Sequence, residues 1–271
     1  MKIARYHVLT VLALGAVLAT GCVTERSGPI STLGAKDPAK SVQLRTQLAA
    51  EYIRNNELDK AKQELDQALK INAKSPEANL MMGVLLQQEG SKLNTLNAES
   101  YFQRAISANP NYAQARNNYG TYLFQHGRYK EAIEQLKVAG TSLGYEQRFS
   151  ALENLGRTYL KVGDTVNAEQ AFTQALQVNR NAIIAKIELA ELLYLQERFT
   201  LAGQMYEDYV RFSGQATQGA RALWIGARLA RARNDEMGMK VLINQLRAQF
   251  PDSPEYQRYL QLQYSSEAVW K

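Results

Sequence analysis

The residues able to do chemistry in this chain are few. There is one cysteine, Cys22, and there are two histidines, His7 and His126. No disulfide can form within the chain, a Cys/His zinc site lacks ligands, and Cys–His nucleophilic catalysis would need Cys22 as a free thiol. Glu188 and Glu191 stand at i, i+3 spacing, which on a helix puts two carboxylates on one face, as general acid–base work requires. No histidine is near them and no acidic cluster suggests a metal, so they read as a solvated helix face. His126 precedes Gly127 and reads as a turn histidine. The chain is therefore read as a binding protein, without cofactor, metal or small-molecule substrate, and not as an enzyme.

The segment that must position Cys22 is the N-terminal one. Lys2 and Arg5 precede an apolar run, VLTVLALGAV from Val8 to Val17, of signal-peptide length and too short to span a bilayer as a helix. The run leads to Leu18-Ala19-Thr20-Gly21-Cys22. This resembles the lipobox of bacterial lipoproteins, with the leucine one position further from the cysteine than that family prefers. The resemblance implies that residues 1–21 are a signal peptide and that Cys22 is acylated and anchors the protein to a lipid bilayer. Each buried methylene contributes about 0.8 kcal/mol, and more than one acyl chain makes such an anchor stable. Val23 stands where enterobacterial lipoproteins held at the inner membrane carry Asp, which by resemblance implies sorting to the periplasmic face of the outer membrane. Residues 22–41, with Gly28, Pro29, Ser31, Gly34 and Pro38, read as a flexible tether.

Composition limits the partners. Of 271 residues, 45% are hydrophobic and 21% charged, which suits a globular fold. Lys and Arg total 32 against 26 for Asp and Glu, and the excess is spread along the chain rather than clustered, so nucleic acid is not an expected partner.

From residue 42 the chain repeats with a period near 34, in units of two helices. The small residue of each second helix falls at Ala61, Ala98, Ala132, Ala168, Ala202 and Gly238, and that of each first helix at Ala49, Gly83, Gly120, Gly156, Ala190 and Gly226. Two registers agree independently. Glycine inside a helix costs about 1 kcal/mol relative to alanine, so its recurrence at one register position implies close helix approach. Large apolar residues surround these positions, among them Met82, Leu86 and Phe102, then Tyr119, Leu123 and Leu136. Polar turns divide the helices at Asn55-Asn56-Glu57, His126-Gly127-Arg128, Val162-Gly163-Asp164, Glu197-Arg198 and Asn234-Asp235. Extra residues are expected in connections, at Gly90 to Asn97, near Gln147-Arg148 and near Thr217-Gln218. The pattern resembles the tetratricopeptide repeat over residues 42–252, in units of about 42–75, 76–112, 113–146, 149–182, 183–216 and 219–252. The expected fold is all-α, a right-handed superhelix of six such helix pairs, closed by a capping helix within 254–271 that carries Tyr256, Tyr259 and Leu260.

Such a superhelix has a concave wall lined by its first helices, which in this family usually holds a peptide. The family's wall positions fall on Thr46, Ala50 and Ile53 in unit one, Leu80, Val84 and Gln87 in unit two, and Asn117, Thr121 and Phe124 in unit three. The family's carboxylate clamp uses Lys and Asn where this chain has Thr46 and Ala50. Ala50, Ile53, Leu80 and Val84 would instead form an apolar groove for an amphipathic helix or hydrophobic strand, or else complete the packing between repeats. Further on, Glu153, Arg157, Leu160, Ile187, Glu191 and Tyr194 form a mixed surface that could hold a second partner. Four stretches, NNYGTYLFQHGRYKEA from Asn117, ENLGRTYLKVGD from Glu153, ARALWIGARLAR from Ala220 and FPDSPEYQRYL from Phe250, together with the lipobox, resemble the type IV pilus pilotin lipoproteins. That resemblance implies that the partner is the pilus secretin and that the protein promotes its localisation and assembly. The alternative is a repeat lipoprotein of another envelope machine, for β-barrel assembly or cell-wall hydrolases.

Overall fold

Apolar side chains recurring every three or four residues dictate helices whose buried stripes must find partners, and stacking pairs supplies them. The computed structural model describes residues 37–213, 218–267 and 269–270. Cys22, the expected signal peptide and most of the expected tether lie outside the described residues. Among those described, six helix pairs follow one another: α1 (Pro38–Arg54) with α2 (Leu58–Ile71), α3 (Pro76–Glu89) with α4 (Lys92–Ala108), α5 (Ala113–Gln125) with α6 (Tyr129–Thr141), α7 (Arg148–Lys161) with α8 (Thr165–Val178), α9 (Ile183–Leu195) with α10 (Phe199–Ser213), and α11 (Ala220–Ala232) with α12 (Glu236–Gln249). A last helix, α13 (Pro254–Leu262), completes a right-handed superhelix.

Each first helix packs on its own second helix, on the next first helix and on the preceding second helix. Helix α13 packs on both α11 and α12, so it takes the place that the first helix of a seventh pair would hold. It covers the apolar face of Leu223, Trp224, Ile243 and Leu246 that the stack would otherwise leave open to water.

Two expectations about boundaries are corrected. Asp37 accepts a hydrogen bond from the Lys40 N–H at 2.9 Å, and Pro38 presets the first helical turn, so the helix begins inside the expected tether, four residues before position 42. The extra residues after Gly90 do not enlarge a turn. Ser91 caps the helix through the Asn94 N–H at 3.1 Å, and they lengthen α4 at its start. The turns inside the pairs share one device, a residue in the left-handed region: Asn56, Gly90, Gly127, Gly163, Glu197 and Asn234. In most of them the next residue's N–H closes back on a carbonyl of the first helix, as from Arg128 to Leu123 and from Asp164 to Tyr159, both at 2.9 Å.

The small-residue register marks close contact. A Cβ on Gly83 would lie 2.8 Å from the Phe102 ring, on Gly120 2.6 Å from Leu136, and on Gly156 2.6 Å from Phe172, each within its own pair. Gly226 departs from this, because its neighbour is the Tyr206 hydroxyl of the preceding α10. Gly238 departs further: it is half-buried, and its nearest neighbour is its own N-cap Asp235.

Phe172 is fully buried, and its ring would have to shift to admit a Cβ on Gly156. Gly156→Ala gains about 1 kcal/mol of helix propensity but overpacks by about 1–3 kcal/mol, so a net loss of up to about 2 kcal/mol is expected in chemical denaturation. Phe172→Leu added to the same chain recovers part of that loss.

Candidate peptide-binding wall

The first helices α3, α5, α7, α9 and α11 stand side by side and form a continuous inner wall. Shallow cavities follow one another along it. One is lined by Val84, Gln87, Gln88, Asn118, Thr121 and Gln125, the next by Thr121, Phe124, Gln125, Asn154 and Arg157, and the third by Phe124, Arg157, Leu160, Lys161, Glu188 and Arg221. Each shares residues with the next, so they read as one groove from unit two to the start of unit six.

The sequence-predicted positions divide here. Val84, Gln87, Thr121 and Phe124 line the groove, and Ala50, which is half-buried on α1, is not among the residues that line these cavities. Thr46, Ile53, Leu80 and Asn117 are buried, which corrects their assignment to the surface. Leu80 and Ile53 belong to the core where neighbouring pairs meet, the Thr46 hydroxyl donates to the Val42 carbonyl at 2.8 Å, and Asn117 accepts from Asn154 at 3.1 Å. The physical reason is helix crowding. Helices α3 and α5 have a first helix on both sides, and α1 packs on both α2 and α3, so only a narrow stripe of each faces the groove. The expected apolar groove in the first units is thereby mostly internal.

Amides and cations take its place. Gln87 donates to Gln125 at 2.5 Å and Asn154 to both Asn117 and Thr121, joining successive first helices, and Gln88 donates to Asn56 of the turn after α1 at 3.1 Å. Arg157 lies over the Phe124 ring at 5.7 Å, and Lys161 borders the same cavity. Apolar contact is confined to Val84, Phe124 and Leu160. Side-chain amides offer both donors and acceptors to a peptide backbone, and the cations favour acidic side chains on it.

Further along, the glutamates read as solvated prove to be paired. Arg221 forms a two-pronged contact to Glu188 at 3.0 and 2.8 Å and also donates to Glu191 at 2.6 Å, while Arg228 donates to the other Glu191 oxygen at 2.5 Å. Glu188 is buried. These arginines come from α11, one unit later, and no spacing within α9 announces them. Burial pushes the Glu191 carboxyl up, but the Arg228 and Arg221 charges and their hydrogen bonds outweigh it, and the net displacement is downward from 4.5. Glu153 is also buried. Its Oε1 accepts from the Ala185 N–H at 2.9 Å, capping α9 from the preceding unit where Ala182 has no side chain able to do so. Burial raises the Glu153 carboxyl, with the Ala185 and Ile184 N–H groups partly opposing. Tyr194, expected on the open wall, is covered by residues 269–270. His126 is structural: its Nδ1 lies 2.7 Å from the Tyr122 carbonyl in the turn after α5.

A stack of helix pairs whose first helices form a grooved inner wall is the architecture of a tetratricopeptide-repeat protein. Models of that family match residues 42–75, 94–141 and 153–217. The type IV pilus assembly protein PilF of Pseudomonas aeruginosa is 31% identical over 256 residues, which span 94% of this chain and 97% of that protein. A solved structure from the functional characterisation of Pseudomonas aeruginosa PilF superposes with a TM-score of 0.77 at 30% identity, covering 82% of this chain and 98% of that one. PilW, described as a widely conserved type IV pilus biogenesis factor, gives a TM-score of 0.68 at 27% identity, over 81% of this chain and 98% of its own. The chain belongs to the PilF family of type IV pilus tetratricopeptide-repeat proteins, which act through protein–protein interaction.

Removing the Glu191 charge leaves Arg228, 2% exposed, short of its carboxylate partner. Glu191→Gln is expected to destabilise the protein by about 3 kcal/mol at pH 7, measured by urea unfolding. Because the folded carboxyl is held below its ordinary value, its contribution is complete above pH 4.5 and is lost as pH falls through the lowered folded value. The gap between parent and variant therefore closes in acid.

Proposed function

We propose that the protein is a pilotin: acylated at Cys22, it is held on the periplasmic face of the outer membrane and carries a segment of the pilus secretin in its concave groove. The observation that carries this reading is the open stretch of wall from Val84 to Leu160, in a chain that belongs to a type IV pilus biogenesis family. Its amides suit the backbone of an extended or helical segment, and Val84, Phe124 and Leu160 offer apolar contact worth about 25 cal/mol per Å² of surface removed from water. The lipobox-like residues before Cys22 direct its acylation in this reading, and the acyl chains on Cys22 supply the anchor. Lipoprotein sorting then delivers the scaffold and the secretin together, and the scaffold concentrates secretin subunits where they assemble.

Two sets of substitutions test the anchor and the groove apart. Cys22→Ala is expected to mislocalise the protein on membrane fractionation and to leave few secretin multimers; unchanged outer-membrane multimers would sink the anchoring role. Val84→Asp and Phe124→Asp place a charge on the wall at two half-buried positions that border the core. Each is expected to leave the helical circular dichroism intact while reducing secretin recovered with the tagged, lipidated protein at least about tenfold, the equivalent of 1.4 kcal/mol. Recovery of barrel-assembly proteins or cell-wall hydrolases in place of secretin would keep the scaffold and discard the pilotin role.

A further inference from the structure

Beyond α13 the described residues turn back along the inner wall. The described residues 265–267 and 269–270 carry no helix. Arg231 donates to the Ser265 carbonyl at 3.2 Å, Arg228 donates to the Trp270 carbonyl at 3.2 Å, and the Trp270 backbone N–H donates to the Tyr194 hydroxyl at 2.9 Å. Two of these holding groups lie on α11 and one on α9, so the segment crosses the layer of first helices. The Trp270 indole stacks on Trp224 with centroids 5.8 Å apart and planes 13° apart, tilts against Tyr259 at 6.2 Å, and lies beneath the Arg231 guanidinium at 4.3 Å. It is 2% exposed.

This is the manner in which a groove holds a ligand. Main-chain groups of a segment without regular structure are held by side chains of the wall, and one large aromatic fills a pocket. The fit is incomplete in two places. The Trp270 indole N–H and the Arg228 Nε are buried and have no acceptor. An unmet donor weakens the contact that buries it, so a segment offering an acceptor at either point would hold the pocket better.

We propose that the wall of units five and six, built from Tyr194, Trp224, Arg228 and Arg231, is a binding site for an extended, aromatic-bearing segment of a partner protein, and that the described residues 265–267 and 269–270 occupy it in cis until displaced. The site lies beyond the groove of Val84 to Leu160 and does not depend on the pilotin reading. Its ligand is an extended peptide with an aromatic side chain between Trp224 and Arg231, a carbonyl toward Arg228 and an N–H toward Tyr194. The short connection from Leu262 keeps the cis segment at an effective concentration on the order of millimolar, so the intact chain resists weak ligands and yields only to a better one.

The test uses the full-length chain and a fluorescein-labelled peptide with the sequence of residues 263–270, QYSSEAVW, read by anisotropy. Trp270→Ala empties the pocket. It is expected to bind the peptide at least about tenfold more tightly than the intact chain does, since nothing then competes in cis. The same peptide with its tryptophan replaced by alanine is expected not to bind. A folded Trp270→Ala chain that ignores the peptide, or binds both peptides equally, overturns the proposal. Should that variant not fold, the intact chain decides. Its only two tryptophans, Trp224 and Trp270, both lie in this site. A peptide with phenylalanine in place of tryptophan is expected to red-shift their emission and open Trp270 to acrylamide, and no change at millimolar peptide overturns the proposal. Concentration-dependent dimers of the intact chain that vanish on Trp270→Ala would assign the site to a second copy and overturn it equally.

Discussion

The rest of the structure depends on how closely the two helices of a pair approach. At Gly83, Gly120 and Gly156 the first helix has no side chain, and a ring or a branched aliphatic group of the second helix sits where a Cβ would be. That contact fixes the crossing geometry of the pair. Because pairs two to four repeat it in the same register, the rotation from pair to pair is nearly the same there, and a regular superhelix is the result. The fold is thus local in origin: each pair needs only its neighbours.

The same regularity limits what the wall can be. Packed against its own second helix and the neighbouring first helices, each wall helix turns most of its surface into contacts, and Thr46, Ile53, Leu80 and Asn117 are consumed there. What remains for a partner is a stripe of amides and cations with a few apolar points at Val84, Phe124 and Leu160. Such a surface favours a ligand recognised through its backbone, with a small number of side chains setting specificity. Affinity would then rest on a few well-placed contacts rather than on a broad apolar face.

The far end of the stack meets a different need. A last pair leaves an apolar face without a partner, and α13 covers it in the place of a further first helix. Residues 265–267 and 269–270 then extend the cover onto the inner wall, where Trp270 joins Trp224 and Tyr259. Arg228 links this cover to the wall, since one of its nitrogens holds the Trp270 carbonyl and another holds Glu191, which also holds Arg221. Closure of the stack and chemistry of the wall therefore share residues at this end.

The sequence by itself determined the repeat, the pairing of helices, the small-residue contacts within pairs two to four and the presence of a final cap. All of these arise from interactions within about one repeat length, and periodicity records such interactions directly. It also carried the family resemblance, through stretches in units three, four and six. Tertiary structure alone decided which wall positions reach the groove, that Glu188 and Glu191 meet arginines about thirty residues later, that Glu153 caps a helix of the next unit, and that Trp270 returns to Tyr194 across 76 residues. The physical reason is separation along the chain. A charge pair or a cap formed between units leaves no period in either partner, and a helix face reads the same whether water or another helix lies against it, so only the stacked molecule distinguishes them.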